Sequence, residues 1–407
     1  MEIPLQERLI HIVNHAYQNA PAVRKIFQSA GLKPGDIQSL ADLDRIPVTT
    51  KDRLVELQMQ DPPFGGFLAV HPDALEHVFF SPGPLYEPDA GESAILDTVR
   101  EMLQIAGFQS GDVVLNCFGY HLIPTGLALD QVLREMGTTV IPGGVGNADL
   151  LVKMMHDLKV TAYLGTPSWL MALINKAQEM GLDFAEQFAL KKALVSAEPL
   201  PAELRAVFVD TYKLSVTNAY GTAELGFLAY NREGGMAMNL LESSIIQVAN
   251  PETGNSVAPG ETGEVVVTSF SEAYPLIRLG TGDLAMYIDP AAGQSSQAER
   301  AIILVGRVGD AVKVRGLFVH PNQLLFATRQ VPGVGRVKAI VTRPGDRDEF
   351  TLKVVLIDES ADQDTLAQTL AGAIQGSCRV RVDQVEFVAE SDLNTDEKVI
   401  LDERSWG

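Results

Sequence analysis

Two cysteines in 407 residues, Cys117 and Cys378, are too few and too far apart for a disulfide framework or a cysteine-built zinc site. Long apolar runs are missing too: no window approaches the ~18 uncharged residues of a membrane span. The opening stretch MEIPLQERLIHIVNHAYQ has early acidic residues and no apolar signal run. These absences predict a cytoplasmic protein with no membrane partner. Positive charge is scarce as well. Lys and Arg number 32 against 52 Asp and Glu, the net charge is −20, and no basic run stands out. A nucleic-acid partner is therefore not expected, although local groups can still bind a small anion. Internal repeats and low-complexity tracts are absent.

The remainder is ordinary globular sequence, 46% hydrophobic and 21% charged. Its length implies at least two domains. Residues 1–57 read as helical, with Leu9, Ile12, Val13 and Ala16 on one face. From Gly107 strands and helices alternate: VVLNCFGY, GLALDQVLREMG, TTVIPG, ADLLVKMMHDLK, VTAYLG, PSWLMALINKAQEMG, KKALVSA. That alternation predicts right-handed crossovers and a parallel sheet with helices on both faces. After Asn239 the chain turns β-rich, in SSIIQVANPETGN, GEVVVTSF and RAIILVGR. A smaller α/β unit follows Asp310, with helices at 321–329 and 361–376 and strands RVKAIVTR, FTLKVVLID and RVRVDQVEFVA. The expected fold class is α/β: a large N-terminal region (1–309) with parallel-rich sheets, flanking helices and a β-rich subdomain, then a small C-terminal α/β domain (310–407).

Four clusters carry candidate chemistry. NAYGTAELG places Tyr220, Gly221, Thr222 and Glu224 together. LGTGDLAMY puts Asp283 after two glycines, and GRVGDAVKVRGLFVHP sets Arg307, Lys313 and Arg315 around Asp310. NTDEKVILDER holds Lys398. A Glu can ligate Mg²⁺, an Asp can bind two ribose hydroxyls, and cations can offset phosphate charge. Each cluster alone also has a plain reading as a cap, a turn or an exposed basic edge; their order and spacing together are more specific.

That order resembles the adenylate-forming ligase superfamily, most closely the phenylacetate–CoA ligase family, over nearly the whole chain. IPVTTKDRL, PPFGGFLAV, GDVVLNCFGY, GTTVIPGG, YLGTPSWL and SAEP follow in family order. The resemblance implies a mobile C-terminal lid and a two-step reaction. A carboxylate attacks the α-phosphate of Mg-ATP, pyrophosphate leaves, and a thiol, usually that of coenzyme A, then takes the acyl group. It implies Glu224 as the Mg²⁺ ligand and Thr222 as the threonine near the α-phosphate. Ser196, Ala197, Glu198 and Pro199 correspond to the segment packing on adenine, with Tyr220 stacking on the same base. Asp283 corresponds to the ribose aspartate, Arg307 to the arginine near ribose and phosphate, and Asp310 to the hinge. Lys313 and Arg315 lie in the segment suited to the thiol half-reaction, and Lys398 matches the lysine bridging carboxylate and α-phosphate. Tyr120, His121, Gly165, Pro167 and Trp169 fall near the acyl pocket, where core packing is the plain reading. The implied ligands are ATP or AMP, Mg²⁺, coenzyme A and a small aromatic carboxylic acid. Relatives that dimerise extend the expectation of a homodimer.

Three departures stand out. Where the family has a Ser/Thr/Gly-rich phosphate loop ending in Gly-Lys-Pro-Thr, this chain reads FFSPGPLYEPDA. Ser81, Pro82, Gly83, Pro84 and Pro88 read as a tight turn, and aligned on Gly83 and Pro88 the chain has Pro84 and Leu85 at the threonines and Glu87 at the lysine. Pro82 and Pro84 have no N–H to donate. Glu87 would repel a triphosphate, by about 1 kcal/mol at ~4 Å in water and more in a dry site. In the tail, Glu397 precedes Lys398 where the family has glycine. No cysteine cluster lies beside NREGGMAMN, so no structural metal is expected there. Two other readings therefore stay open: a binding protein for AMP, acyl-adenylate or acyl-CoA with little turnover, and acyl transfer to a carrier protein or an amine.

Overall fold

The computed structural model describes residues 4–81, 85–91, 94–315, 317–344, 348–357, 362–378, 380–393 and 398–404. They form two compact units. The first comprises Met1–Gln247, Val266–Thr281 and Ile288–Ile303; the second comprises Val248–Val265, Gly282–Tyr287 and Leu304–Gly407.

The first unit is built on five parallel strands in the order Thr139–Pro142, Val113–Asn116, Ala162–Gly165, Lys192–Val195 and Ser215–Thr222. Gly226–Asn231 and Met238–Leu240 extend them antiparallel. Because strand side chains alternate faces, each strand feeds two cores. Leu115, Tyr163, Ala193 and Val195 pack with helices Ala148–Asp157 and Pro167–Glu179. Val114, Ala162, Leu164 and Leu194 pack with helices Ala94–Ile105 and Thr125–Glu135. The short apolar strands are buried on both sides, which is why they read as continuous runs rather than alternating ones. Helix starts follow from capping side chains: Thr166 Oγ1 accepts from Trp169 N at 3.3 Å and Asn147 Oδ1 from Leu150 N at 3.3 Å.

The N-terminal segment carries helices Leu5–Asn19, Pro21–Ser29 and Lys51–Gln60. Leu9, Ile12, Val13 and Ala16 are buried, as their spacing predicts. The link before the third helix is fastened by the fully buried Arg278. Its Nη1 donates to Leu43 O at 3.0 Å and Ile46 O at 2.6 Å, and Nη2 lies 3.4 Å from Asp44. Thr49–Thr50 then pairs in parallel with Leu279–Gly280. The FFSPGPLYEPDA stretch, expected as a tight turn, is largely an antiparallel hairpin of His77–Ser81 with Leu85–Asp89. Pairing of Phe79 with Glu87 and Ser81 with Leu85 puts these four on its buried face. Residues 82–84, Gly83 among them, lie outside the described residues.

The second unit contains a four-stranded sheet in the order Gln384–Phe387, Glu349–Leu356, Val334–Thr342, Ile400–Asp402. Helices Pro321–Arg329 and Gln363–Cys378 supply Leu324, Ala327, Leu370 and Ile374 to its core. The last long strand expected from RVRVDQVEFVA is shortened to Gln384–Phe387. Among the described residues no helix is long and apolar enough to cross a membrane.

Gly306 has a positive φ of +152°, and a Cβ there would fall 1.9 Å from the His320 imidazole, itself buried. Gly306→Ala should therefore destabilise the second unit by about 2 kcal/mol, from overpacking and backbone strain together. Urea unfolding checks this; an unchanged midpoint would show that the imidazole can move aside.

Candidate functional site

Two antiparallel strands approach closely at Gly221, where a Cβ would meet Gly226 O at 2.4 Å. Only glycine permits that approach, and it tightens the connecting turn Ala223–Leu225 that holds Glu224. Glu224 is buried, and Lys51 Nζ lies 2.8 Å from its Oε1. Lys51 opens the helix Lys51–Gln60, started by Thr50 Oγ1 accepting from Arg53 N. Gln58 on the same helix grips the hairpin: its Nε2 donates to Tyr86 O at 2.8 Å and its Oε1 accepts from Tyr86 N at 2.8 Å. Gln58 Nε2 also reaches the Tyr274 hydroxyl at 3.0 Å.

That clamp turns Glu87 inward. Glu87 is 6% exposed, and neither carboxylate oxygen has a hydrogen-bond partner among the described residues. Burial, with the Glu224 charge adding, pushes its pKa up to about 7 against the pull of Ser81 and Lys51. Glu224 Oε2 and the Thr222 hydroxyl are likewise buried without a hydrogen bond among the described residues, and the buried Ser81 hydroxyl lies near Glu87 without a well-formed one. An orphaned carboxylate oxygen at Glu224 suits a hard divalent cation, so the residues fit a Mg²⁺ ion there.

Two cavities adjoin this cluster and share Ile95, Pro124 and Ala128. One, about 70 Å³, has Glu87, Glu224 and Tyr274 in its wall. The other, about 210 Å³, is lined by Val99, Phe118, Ile123 and Phe227, with Ser196, Ala197, Gly221 and Thr222 along one side. Ser196 is held by its Oγ donating to Ala219 O at 2.7 Å, and Ala197 follows at φ +71°. Glu198 Oε1 accepts from Ser168 N at 2.6 Å, which fixes the strand-end turn against a helix start. Pro199 follows in that turn and is exposed. Tyr220 OH contacts Thr281 Oγ1 at 3.4 Å.

The five residues expected near an acyl pocket, Tyr120, His121, Gly165, Pro167 and Trp169, wall neither cavity. Tyr120 accepts from Asn116 Nδ2 at 2.8 Å, and burial raises its phenol to about 12. His121 is exposed, Gly165 leaves room for the Tyr163 hydroxyl and Pro167 opens a helix.

In the second unit Asp283 Oδ1 lies 2.9 Å from Arg307 Nη1. Glu264 is buried nearby, accepting from Gly282 N at 2.8 Å, and burial raises its pKa. Asp310 ends the short turn Val308–Asp310 and Lys313 lies on the strand Val312–Val314; the side chains of both fall outside the described residues. The Arg315 guanidinium binds the Arg381 carbonyl at 2.8 Å and the Asp383 carboxylate. Asp348, despite burial, is drawn down to about 2 by the Arg315 N–H and the Arg343 and Arg404 guanidinium groups. Lys398 is exposed just ahead of the strand Ile400–Asp402.

Lys51 and Gln58 were not singled out from sequence. Lys51 sits inside IPVTTKDRL, which was the available signal; Gln58 had none, since its partners are 28 and 216 residues away.

A family model described as AMP-binding enzyme matches residues 93–271. A phenylacetate–coenzyme A ligase of Aromatoleum evansii is 29% identical over 87% of this chain and 81% of its own. One from Escherichia coli K12 is 28% identical over 87% and 82%. An open conformation of 2-hydroxyisobutyryl-CoA ligase, solved with 2-HIB-AMP and CoA, superposes with a TM-score of 0.82 at 24% identity, covering 98% of this chain and 91% of that one.

Glu87 gives a stability test with a defined sign. Its pKa is raised from 4.5 to about 7 on folding. It therefore contributes stability at low pH that is lost as pH rises from about 4.5 to 7. Glu87→Gln should gain on the wild type by about 2 kcal/mol between pH 5 and pH 8. Urea titrations at both pH values check this, and an equal offset at both would refute the buried, unpaired carboxylate.

Proposed function

We propose that the chain is an adenylate-forming acyl-CoA ligase, a reading supported by its AMP-binding match and its likeness to phenylacetate–coenzyme A ligases, and that it activates a small aromatic carboxylic acid with ATP and passes the acyl group to coenzyme A. The carrying observation is the continuous site of the first unit, where the buried Glu224–Lys51 pair adjoins an apolar cavity edged by Ser196, Ala197 and Thr222. Apolar cavities of roughly 150 Å³ accept benzene, so a cavity of about 210 Å³ has room for one aromatic ring. In this reading Ser196 to Pro199 and Tyr220 flank the adenine, and Asp283 takes the ribose hydroxyls with Arg307 beside it. Glu224 would hold a Mg²⁺ ion, which supplies charge neutralisation at the phosphates. Lys398 offsets charge where carboxylate and α-phosphate meet. Lys313 serves the thiol step after rotation at Asp310, and Arg315 braces that segment through Asp383 and the Arg381 carbonyl.

The orphaned Glu87 favours one alternative: a receptor for AMP or acyl-adenylate, because its charge penalises only the longer phosphate chain. ATP–pyrophosphate exchange with pooled aryl and fatty acids and Mg²⁺ separates the two. Exchange that depends on an aryl pool, followed by thioester formation with coenzyme A, is the expected result. A folded protein that binds AMP but shows no exchange would establish the receptor instead. Asp283→Ala should weaken AMP at least tenfold by calorimetry, through loss of charge-assisted ribose hydrogen bonds; unchanged affinity would remove Asp283 from the ribose site.

A further inference from the structure

The hairpin brings a second buried carboxylate, Glu87, to the cavity that Glu224 lines, and the charges there do not balance. Glu87 and Glu224 carry two negative charges when ionised, and Lys51 offsets one of them through Glu224 Oε1. Among the described residues, both Glu87 oxygens and Glu224 Oε2 are buried without a well-formed hydrogen bond, and the buried Ser81 hydroxyl, near enough to Glu87 to pull its pKa down, also makes none of good geometry. Unpaired buried carboxylates are costly and persist where a ligand completes them. The other charged groups at this cavity, His77 and Asp89, pair with each other at 3.0 Å on the hairpin, and Tyr274 is engaged by Gln58. So the open oxygens face a space with no second cation among the described residues to serve them.

We propose that Glu87 and Glu224 together hold a divalent cation of the Mg²⁺ or Mn²⁺ kind, which replaces the missing loop lysine as the positive charge for a triphosphate. The proposal rests on the ligase reading for its use, but the site itself can be measured without nucleotide. Oxygen donors select a hard cation, and Mg²⁺ commonly takes one or two carboxylates and fills its shell with water and phosphate oxygens. Among the described residues no three His, Cys, Asp or Glu side chains are placed to hold an ion together, so water and phosphate oxygens would complete the shell that Glu87 and Glu224 begin. Seen this way, Glu87 does not disable the phosphate loop. It exchanges a fixed ammonium for a bound ion, so triphosphate binding becomes dependent on free cation while AMP binding does not.

The test is Mn²⁺ binding to the nucleotide-free full chain, followed by electron paramagnetic resonance. The wild type should bind one Mn²⁺ at this site, Glu87→Gln should weaken it at least tenfold, and Glu224→Gln should do the same. Glu87→Lys should bind no Mn²⁺ there and should show ATP affinity that no longer rises with cation concentration. Circular dichroism and thermal melting confirm that each variant is folded. As a readout needing no variant, Mn²⁺ should raise the melting temperature of the wild type. Wild type that binds no Mn²⁺, or Glu87→Gln that binds it equally well, overturns the proposal. Mn²⁺ binding without ATP–pyrophosphate exchange would leave the cation site standing and remove the ligase reading.

Discussion

A buried carboxylate needs a counter-charge, and Glu224 obtains its own from Lys51 at the start of one ten-residue helix. The geometry of the first unit's site depends on that helix. Its N-terminus delivers the ammonium, and Gln58, two turns on, holds the hairpin by both backbone groups of Tyr86. Upstream, the buried guanidinium of Arg278 pins the carbonyls of Leu43 and Ile46 and so sets where the helix begins. A displacement at Arg278 would be passed to Glu224 and Glu87 alike, because both are referenced to the same short element.

The electrostatics of the cluster are asymmetric. Glu224 has a direct ion pair, whereas Glu87 is buried beside it with none and is raised to about 7. Desolvation is the largest cause of that rise, with the Glu224 charge adding to it and Ser81 and Lys51 opposing it. A site with surplus negative charge is a poor receptor for a triphosphate and a good one for a cation, and a nucleotide can exploit the second property.

The apolar half of the site follows from sheet geometry. The strand end at Ser196 and the hairpin at Gly221–Gly226 converge because Gly221 lets the backbones meet. Ser196 and Thr222 are thereby placed along the edge of a cavity otherwise walled by Val99, Phe118, Ile123 and Phe227, and the carboxylates of Glu87 and Glu224 line the smaller cavity that adjoins it. Apolar walls with a few convergent polar groups suit a ligand with one ionic end and one hydrophobic end. In the second unit, the Asp283–Arg307 contact and the Asp348 cluster show carboxylates satisfied in the opposite manner, by guanidinium groups close at hand.

Much of the architecture was legible in the residues. The run of short apolar strands and amphipathic helices from Gly107 to Ala197 determined a parallel sheet covered on both faces, because burial on two sides requires continuous apolar strands and crossovers require helices. The spacing of NAYGTAELG, LGTGDLAMY and GRVGDAVKVRG marked Glu224, Asp283 and Arg307 as candidates, and the structure pairs Glu224 with Lys51 and Asp283 with Arg307. What the residues could not state was direction and partnership. Reading FFSPGPLYEPDA as a turn missed a hairpin whose register alone turns Glu87 inward and Tyr86 outward. Lys51 and Gln58 find their partners far along the chain, a relation that no local pattern encodes. Composition and periodicity thus determined which segments form strands and helices, since those depend on neighbours in sequence. The tertiary structure alone decided which carboxylates lose water and which gain a cation, since desolvation and Coulomb energy depend on neighbours in space.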